Sequence, residues 1–303
     1  MELPPPLTSL ALAQDWVLTA RQLRAAGLHP SEIQRHVASG RWVRVRRGVY
    51  LVEPEKARLM GAWVEARALA LRFPGCVVAG LSAARVWQLK QVPSGPPEMV
   101  VRPGAALAAR HDLRPRQWEL GAGDVQVVRG VAVTTVARTL ADLACTHDRL
   151  DVLPFLDAAV RAGRVTTKEL LAIGQGLTGR PGASHVADLW GLVDGRAESG
   201  LESKVRLRCV DAELPPDAVQ LEVRDHTGRL VARADLGYRL RRRRHGWLLV
   251  EADGTEVHAA PAALYRDRHR WNDVSVLDHV SLRFTTVDTI DPFTIPRAIR
   301  AAL

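Results

Sequence analysis

Between Leu7 and Leu51 the residue pattern breaks and restarts four times, and this succession constrains the fold more than any other feature of the chain. After a proline-rich start, Leu7 to Trp16 reads as a helix. Thr19 caps a second helix that reaches Ala26 and stops at Gly27. His29-Pro30 opens a third, with proline at a tolerated first-turn position, and Ile33 and Val37 mark its buried side until Gly40 ends it. Trp42 to Arg46 then alternates at period two, Arg47-Gly48 turns the chain, and Val49 to Leu51 returns as the partner strand. Three short helices followed by a hairpin predict a winged helix-turn-helix over residues 1–55.

Downstream the periods are mixed. Residues 56–72 read as a helix, followed by short β runs at Val77-Val78, Met99–Val101, Val125–Val128 and Val131–Val133, with Pro93–Pro97 and Gly104–Arg116 as loops. Helices are predicted at Ala137–Cys145 and Leu150–Gly163, and Thr166-Thr167-Lys168-Glu169 has the form of a capping box before another. Gly174 to Gly182 is the best linker. It contains a formal G-x-G-x-x-G, which follows a helix rather than joining strand to helix and so is discarded as a nucleotide site. From Ser199 the pattern sharpens: a helix over Leu201–Val210, strands at Val219–Val223, Leu230–Leu236 and Trp247–Glu251, a helix at Pro261–Asn272, a strand at Val280–Thr285 and a closing helix at Pro296–Leu303. The expected class is α+β multidomain: the winged helix, a mixed α+β middle domain over 56–182, and an αβββαβ domain over 183–303.

Composition narrows the function. No apolar run approaches the roughly 18 residues that span a bilayer, and the start lacks a basic signal region, so a cytoplasmic protein without membrane contact is expected. Cys76, Cys145 and Cys209 lie too far apart in sequence for a disulfide framework or a zinc pair, and are expected reduced and buried. The net charge is +9, and all but four of the 42 basic residues are Arg, whose planar fork suits phosphate oxygens. The excess is placed early: the first fifty residues carry +4, whereas residues 185–303 are neutral.

That placement falls on the winged helix. Arg41, Arg44, Arg46 and Arg47 lie within seven residues, and Arg44 and Arg46 share one strand face, where they can meet successive phosphates of duplex DNA. Ser31, Gln34, Arg35 and His36 form the outward set of the third helix, available for base edges. The competing reading is a solvated basic strand on a protein-binding winged helix.

A second chemistry is written in acids. Asp235 and Glu251 fall near the ends of adjacent strands, and period two aims Glu251 and Asp253 to one face. Carboxylates so placed can share a divalent cation that stabilises a phosphoryl transition state; they can equally reach solvent or Arg partners. Glu202 closes the sequence Ser199-Gly200-Leu201-Glu202, and so is read both as a capping-box acid and as a metal ligand. Arg241, Arg242, Arg243 and Arg244 form a run in the loop leading to Glu251, either solvated or holding a phosphate backbone at the mouth of the site.

Two resemblances follow from these residues. Arg196-Ala197-Glu198-Ser199-Gly200-Leu201-Glu202-Ser203, Ala234-Asp235-Leu236, Leu249 to Gly254 with His258, Arg266-Asp267-Arg268 and Leu282-Arg283-Phe284-Thr285 resemble, in order, the landmarks of the restriction-endonuclease-like family related to very-short-patch repair nucleases. The resemblance implies a PD-(D/E)XK fold, with Asp235 and Glu251 as Mg²⁺ ligands and Glu202 as the first-helix acid. Where the generic motif ends in Glu-x-Lys, this chain has Glu251-Ala252-Asp253; His258 and Arg233 are the candidates for the missing lysine's place. Thr19–Leu23, Ser39–Trp42, Arg46–Tyr50 and Val133–Leu143 look like the AbiEi-type antitoxins of type IV toxin-antitoxin systems. That likeness implies a winged helix that binds double-stranded DNA and represses its own operon, followed by a domain opposing a nucleotidyltransferase toxin. The combined expectation is a DNA-binding antitoxin-like protein with a Mg²⁺-dependent endonuclease domain. Its alternative is a non-enzymatic repressor or antitoxin whose nuclease fold is inactive.

Overall fold

The computed structural model describes residues 3–58, 60–89, 92–101, 112–240, 246–253 and 279–303. The chain forms two compact units, Met1–Leu143 and Ala144–Leu303, where the sequence suggested three segments. The Gly174–Gly182 stretch is not a free linker: Gly174 and Gly176 lie in a helix, a Cβ on Gly174 would stand 2.5 Å from the Trp190 ring, and Gly182 leaves no room for one beside the Cys145 carbonyl.

In the first unit, α1 (Pro5–Ala13) ends earlier than expected, because Asp15 and Trp16 both adopt positive φ and turn the chain into a strand, β1 (Val17–Thr19). The helical reading of Leu7 to Trp16 missed this strand. Thr19 accepts from the Gln22 N–H and Gln22 Oε1 accepts from the Thr19 N–H, a reciprocal cap that starts α2 (Ala20–Ala25). α3 (Pro30–Ala38) follows, then β2 (Val43–Arg46) and β3 (Val49–Leu51), in a sheet of order β1-β3-β2. Leu7, Leu18, Leu23, Ile33, Trp42 and Tyr50 bury their side chains between helices and sheet, completing a winged helix-turn-helix.

The same unit continues with α4 (Gly61–Arg72), which begins five residues later than expected because turns occupy residues 54–58. β4 (Val77–Val78), α5 (Gly80–Val86), β5 (Glu98–Val100), β6 (Arg114–Arg116), β7 (Val125–Val128) and β8 (Val131–Thr134) supply a five-stranded sheet ordered β6-β5-β4-β8-β7. β6 falls in a stretch that reads as a loop. Arg-Pro-Arg has no apolar alternation to announce a strand, and Pro115 is tolerated because β6 lies at the sheet edge. Arg116 instead reaches the buried Glu98 carboxylate at 2.8 Å, which also accepts from the Leu81 N–H. Gly80 makes this possible: at φ +53, its missing Cβ would stand 1.8 Å from Glu98 Oε2.

α6 (Val136–Thr146) carries the chain across the divide between the units. The second unit contains α7 (Arg149–Arg161), α8 (Thr167–Gly176), α9 (Leu189–Leu192), α10 (Gly200–Asp211), β9 (Ala218–Arg224), β10 (Leu230–Arg239), β11 (Trp247–Ala252), β12 (Val280–Phe284) and α11 (Thr294–Ala302). The sheet order is β12-β11-β10-β9, antiparallel except for the parallel pair β11 and β12. Leu201, Val205 and Cys209 of α10 and Ile295 and Ile299 of α11 pack with Leu236, Tyr238, Leu248 and Val250 of the sheet. The helix expected at Pro261–Asn272 lies outside the described residues.

Candidate nucleic-acid interface and carboxylate cluster

On α3, Ser31, Gln34 and Arg35 are exposed as expected. His29 caps the helix by accepting from the Ser31 N–H through Nδ1, and the Ser31 hydroxyl lies 2.8 Å from the same nitrogen. His36 departs from the outward set. Its ring stacks on Trp42 with centroids 4.4 Å apart and planes 17° from parallel. Burial, with the Arg41 charge second, holds its pKa below the ordinary imidazole value, which favours the neutral ring.

The wing also departs from simple alternation. Val43 pairs with Leu51 and Arg44 with Tyr50, but Arg46 rather than Val45 faces Val49. This bulge inserts one residue and resets the faces, so Arg44 and Arg46 do not share one. Arg44 is exposed, whereas Arg46 turns inward and donates through Nη1 to the Asp112 carbonyl at 3.1 Å. Arg41 and Arg47 are exposed, and among the described residues Arg41, Arg44 and Arg47 have no carboxylate within ion-pair distance. Arg21, exposed at the start of α2, shares this condition and went unnoticed in the sequence, where an isolated Arg carries no pattern. Most arginines in the rest of the unit differ: Arg67, Arg85, Arg114, Arg116, Arg129 and Arg138 all hold carboxylates. Arg241, Arg242, Arg243, Arg244 and His258 lie outside the described residues.

In the second unit the acids are placed by α10 and the middle of its sheet. Ser199 Oγ accepts from the Glu202 N–H, so the cap exists, but the reciprocal half of the expected capping box does not form. Glu202 Oε2 accepts instead from the Glu198 N–H at 2.7 Å and from Gln220 Nε2 at 2.8 Å. Gln220 Nε2 also lies 3.3 Å from Asp235 Oδ1, and Asp235 Oδ2 accepts from the Ala252 N–H at 2.8 Å. Gln220 reaches both acids from a φ of +54 within β9, an uncommon conformation for a residue with a side chain, and no sequence motif flagged it. Burial raises the pKa of Glu202, with the Asp235 charge as the next cause; burial likewise raises Asp235 against the hydrogen bonds that lower it.

The β10–β11 ladder pairs Leu236 with Val250, and one residue further sets Asp235 across from Glu251. Arg283, the parallel partner of Glu251 on β12, places Nε 3.8 Å from Glu251 Oε2 and Nη1 3.7 Å from Asp253 Oδ2. The expected common face of Glu251 and Asp253 is thus spanned by a guanidinium. Arg233 pairs with Glu198 at 2.7 Å. Among the described residues no three His, Cys, Asp or Glu side chains converge to hold a metal ion. The expected Mg²⁺ set of Asp235, Glu251 and Glu202 does not fit as arranged: Glu202 and Asp235 hold N–H donors and Glu251 faces Arg283.

No helix among the described residues is long and apolar enough to cross a membrane. Two uncharacterized proteins of Mycobacterium tuberculosis, Rv2248 of strain H37Rv and MT2308 of strain CDC 1551, are each 34% identical to this chain over 147 residues, 48% of this chain and 52% of theirs. The chain therefore spans about half the length of these curated relatives. The crystal structure of the RV2827C protein from Mycobacterium tuberculosis covers 74% of this chain and 90% of its own at 17% identity, with a TM-score of 0.42. Residues 7–52, which are the winged helix, match the family described as transcriptional regulator, AbiEi antitoxin.

Proposed function

We propose that the chain is a DNA-binding transcriptional regulator of the AbiEi antitoxin kind, whose winged helix docks on duplex DNA with α3 toward base edges and the wing along the phosphates. The observation that carries this reading is the set of exposed arginines beside α3, Arg41, Arg44 and Arg47, which have no carboxylate partner among the described residues. Guanidiniums kept free of internal acids are available to replace condensed counterions on a phosphate backbone. By family analogy the proposed role extends to opposing a nucleotidyltransferase toxin. Fluorescence anisotropy of the full chain with duplexes from its own upstream region and with scrambled duplexes, across a salt series, tests the DNA role. Affinity that falls steeply with salt and prefers the upstream duplex supports it; no salt-dependent binding to either overturns it.

A second reading, a Mg²⁺-dependent endonuclease in the second unit, has one observation in its favour: Glu202 and Asp235 share a single amide donor with both pKa values raised. Arg283 against Glu251 and Asp253 weighs against it. A cleavage assay on plasmid, linear and single-stranded DNA with Mg²⁺ or Mn²⁺ separates the two.

A further inference from the structure

Within the first unit, the inner side of the wing and the end of α4 enclose a cleft of about 510 Å³ lined by Arg46, Arg47, Arg72, Phe73, Asp112 and Leu113 among others. That volume lies in the range of sites for small organic ligands. The described lining includes three arginines and one aspartate; neither Arg47 nor Arg72 has a carboxylate within ion-pair distance among the described residues, and Arg72 lies over the Phe73 ring, its Cζ 5.0 Å from the centroid. Arg46 donates Nη1 to the Asp112 carbonyl, while its Nε, shut off from solvent, finds no acceptor among the described residues. A buried N–H without an acceptor is costly, and an anionic oxygen in the cleft would supply one. Phe73, Leu113, Val45 and Pro97 add apolar wall to the polar donors, the mixed lining that suits a ring joined to a phosphate.

We propose that this cleft binds a small phosphate-bearing ligand of nucleotide size, and that the ligand opposes DNA binding because it takes hold of the wing through Arg46 and Arg47. The competition rests on the DNA-binding reading above; the ligand site does not. Since coupling between two sites is reciprocal, a nucleotide that weakens DNA binding is itself bound less well by the DNA complex.

The test titrates the full chain with inorganic phosphate, AMP and ATP by calorimetry at constant ionic strength, and repeats the titration with Arg72→Gln and Asp112→Asn. AMP or ATP is expected to bind at least tenfold more tightly than phosphate. Arg72→Gln should weaken that binding about tenfold, and Asp112→Asn should tighten it at least twofold, a gain that misfolding does not produce. In anisotropy with duplex DNA, saturating nucleotide should lower wild-type affinity several-fold and leave Arg72→Gln unaffected. Absence of nucleotide binding, affinity no better than for phosphate, or binding indifferent to both substitutions overturns the site. If Arg72→Gln weakens DNA binding as much as Arg44→Ala does, the cleft belongs to the DNA backbone and the free-ligand assignment falls. If no duplex binds at all, the DNA reading fails, and the calorimetry still judges the cleft.

Discussion

Arg67 donates its Nε–H to Oδ2 of Asp15 at 3.1 Å, and the two side chains retain only 8% and 2% of their exposure. Asp15 stands where α1 turns into β1, and Arg67 comes from the middle of α4, so the pair ties the winged helix to the sheet domain inside one unit. Arg129 closes on the other oxygen of Asp15, and Arg67 also donates to the Arg129 carbonyl. The clamp explains why no boundary falls near residue 55.

Breaking this clamp at Asp15 leaves the buried Arg67 without a counter-charge, and breaking it at Arg67 leaves Asp15 only the half-exposed Arg129. Asp15→Asn or Arg67→Leu should therefore lower the unfolding free energy of the full chain by about 3–5 kcal/mol, read from urea titrations. The double substitution should cost much less than the sum of the singles, because it removes both buried charges.

How far this was legible in the sequence depends on the kind of signal. The Thr19-x-x-Gln22 cap and the buried period of Ile33 and Val37 are local, and the winged helix read from them appears in the structure. β1 was invisible because positive φ at Asp15 and Trp16, neither a glycine, ends α1 without a sequence marker. β6 was invisible because charge on Glu98 fixes it, not hydrophobic alternation. Asp235 and Glu202 could be picked out as acids at strand and helix ends, but Gln220 between them depends on long-range register, and so does the guanidinium beside Glu251.

Gly80 offers a sharp test of the buried Glu98. Gly80→Ala places a Cβ 1.8 Å from Glu98 Oε2 at a φ that disfavours side chains, so the carboxylate must leave Arg116 and the Leu81 N–H. The expected loss is about 3 kcal/mol or more, from overpacking together with an uncompensated buried charge. Thermal melts of the full chain measure it.

On the wing, the bulge separates arginines that the sequence treats alike. Ala substitution at Arg41, Arg44 or Arg47 should each flatten the plot of log affinity against log salt by up to about 0.9, one phosphate apiece. Arg46→Ala should flatten it far less, because its guanidinium is committed to the Asp112 carbonyl. Equal effects at Arg44 and Arg46 would show that the wing rearranges on DNA.

The raised carboxyls of Glu202 and Asp235 make stability depend on pH in a defined direction. Their folded pKa values lie above the unfolded ones, so the folded chain binds more protons between the two. Stability from this pair is greatest below the ordinary carboxylate range near 4 and is lost as pH rises through the folded values. Glu202→Gln removes one titration and the repulsion on Asp235. Relative to wild type, its urea midpoint should therefore climb as pH is raised from about 4 to 7. A flat difference would mean that Glu202 titrates normally.

Divalent metal discriminates between the two functional readings. Glu202 and Asp235 already accept from Gln220, and Arg283 lies against Glu251 and Asp253, so a cation entering this cluster would have to displace a guanidinium and share oxygens with N–H donors. Wild-type melting temperature should therefore be the same in Mg²⁺ as in NaCl of equal ionic strength. Arg283→Gln removes the competing charge while leaving Glu251 and Asp253 side by side, and should create a Mg²⁺-dependent rise. At a hundredfold excess over the dissociation constant, binding contributes about 2.7 kcal/mol, a shift of several degrees for a chain of this size. If wild type itself shows that rise and Asp235→Asn abolishes it, the acids hold a cation in the native protein, and the endonuclease reading displaces the purely regulatory one for the second unit.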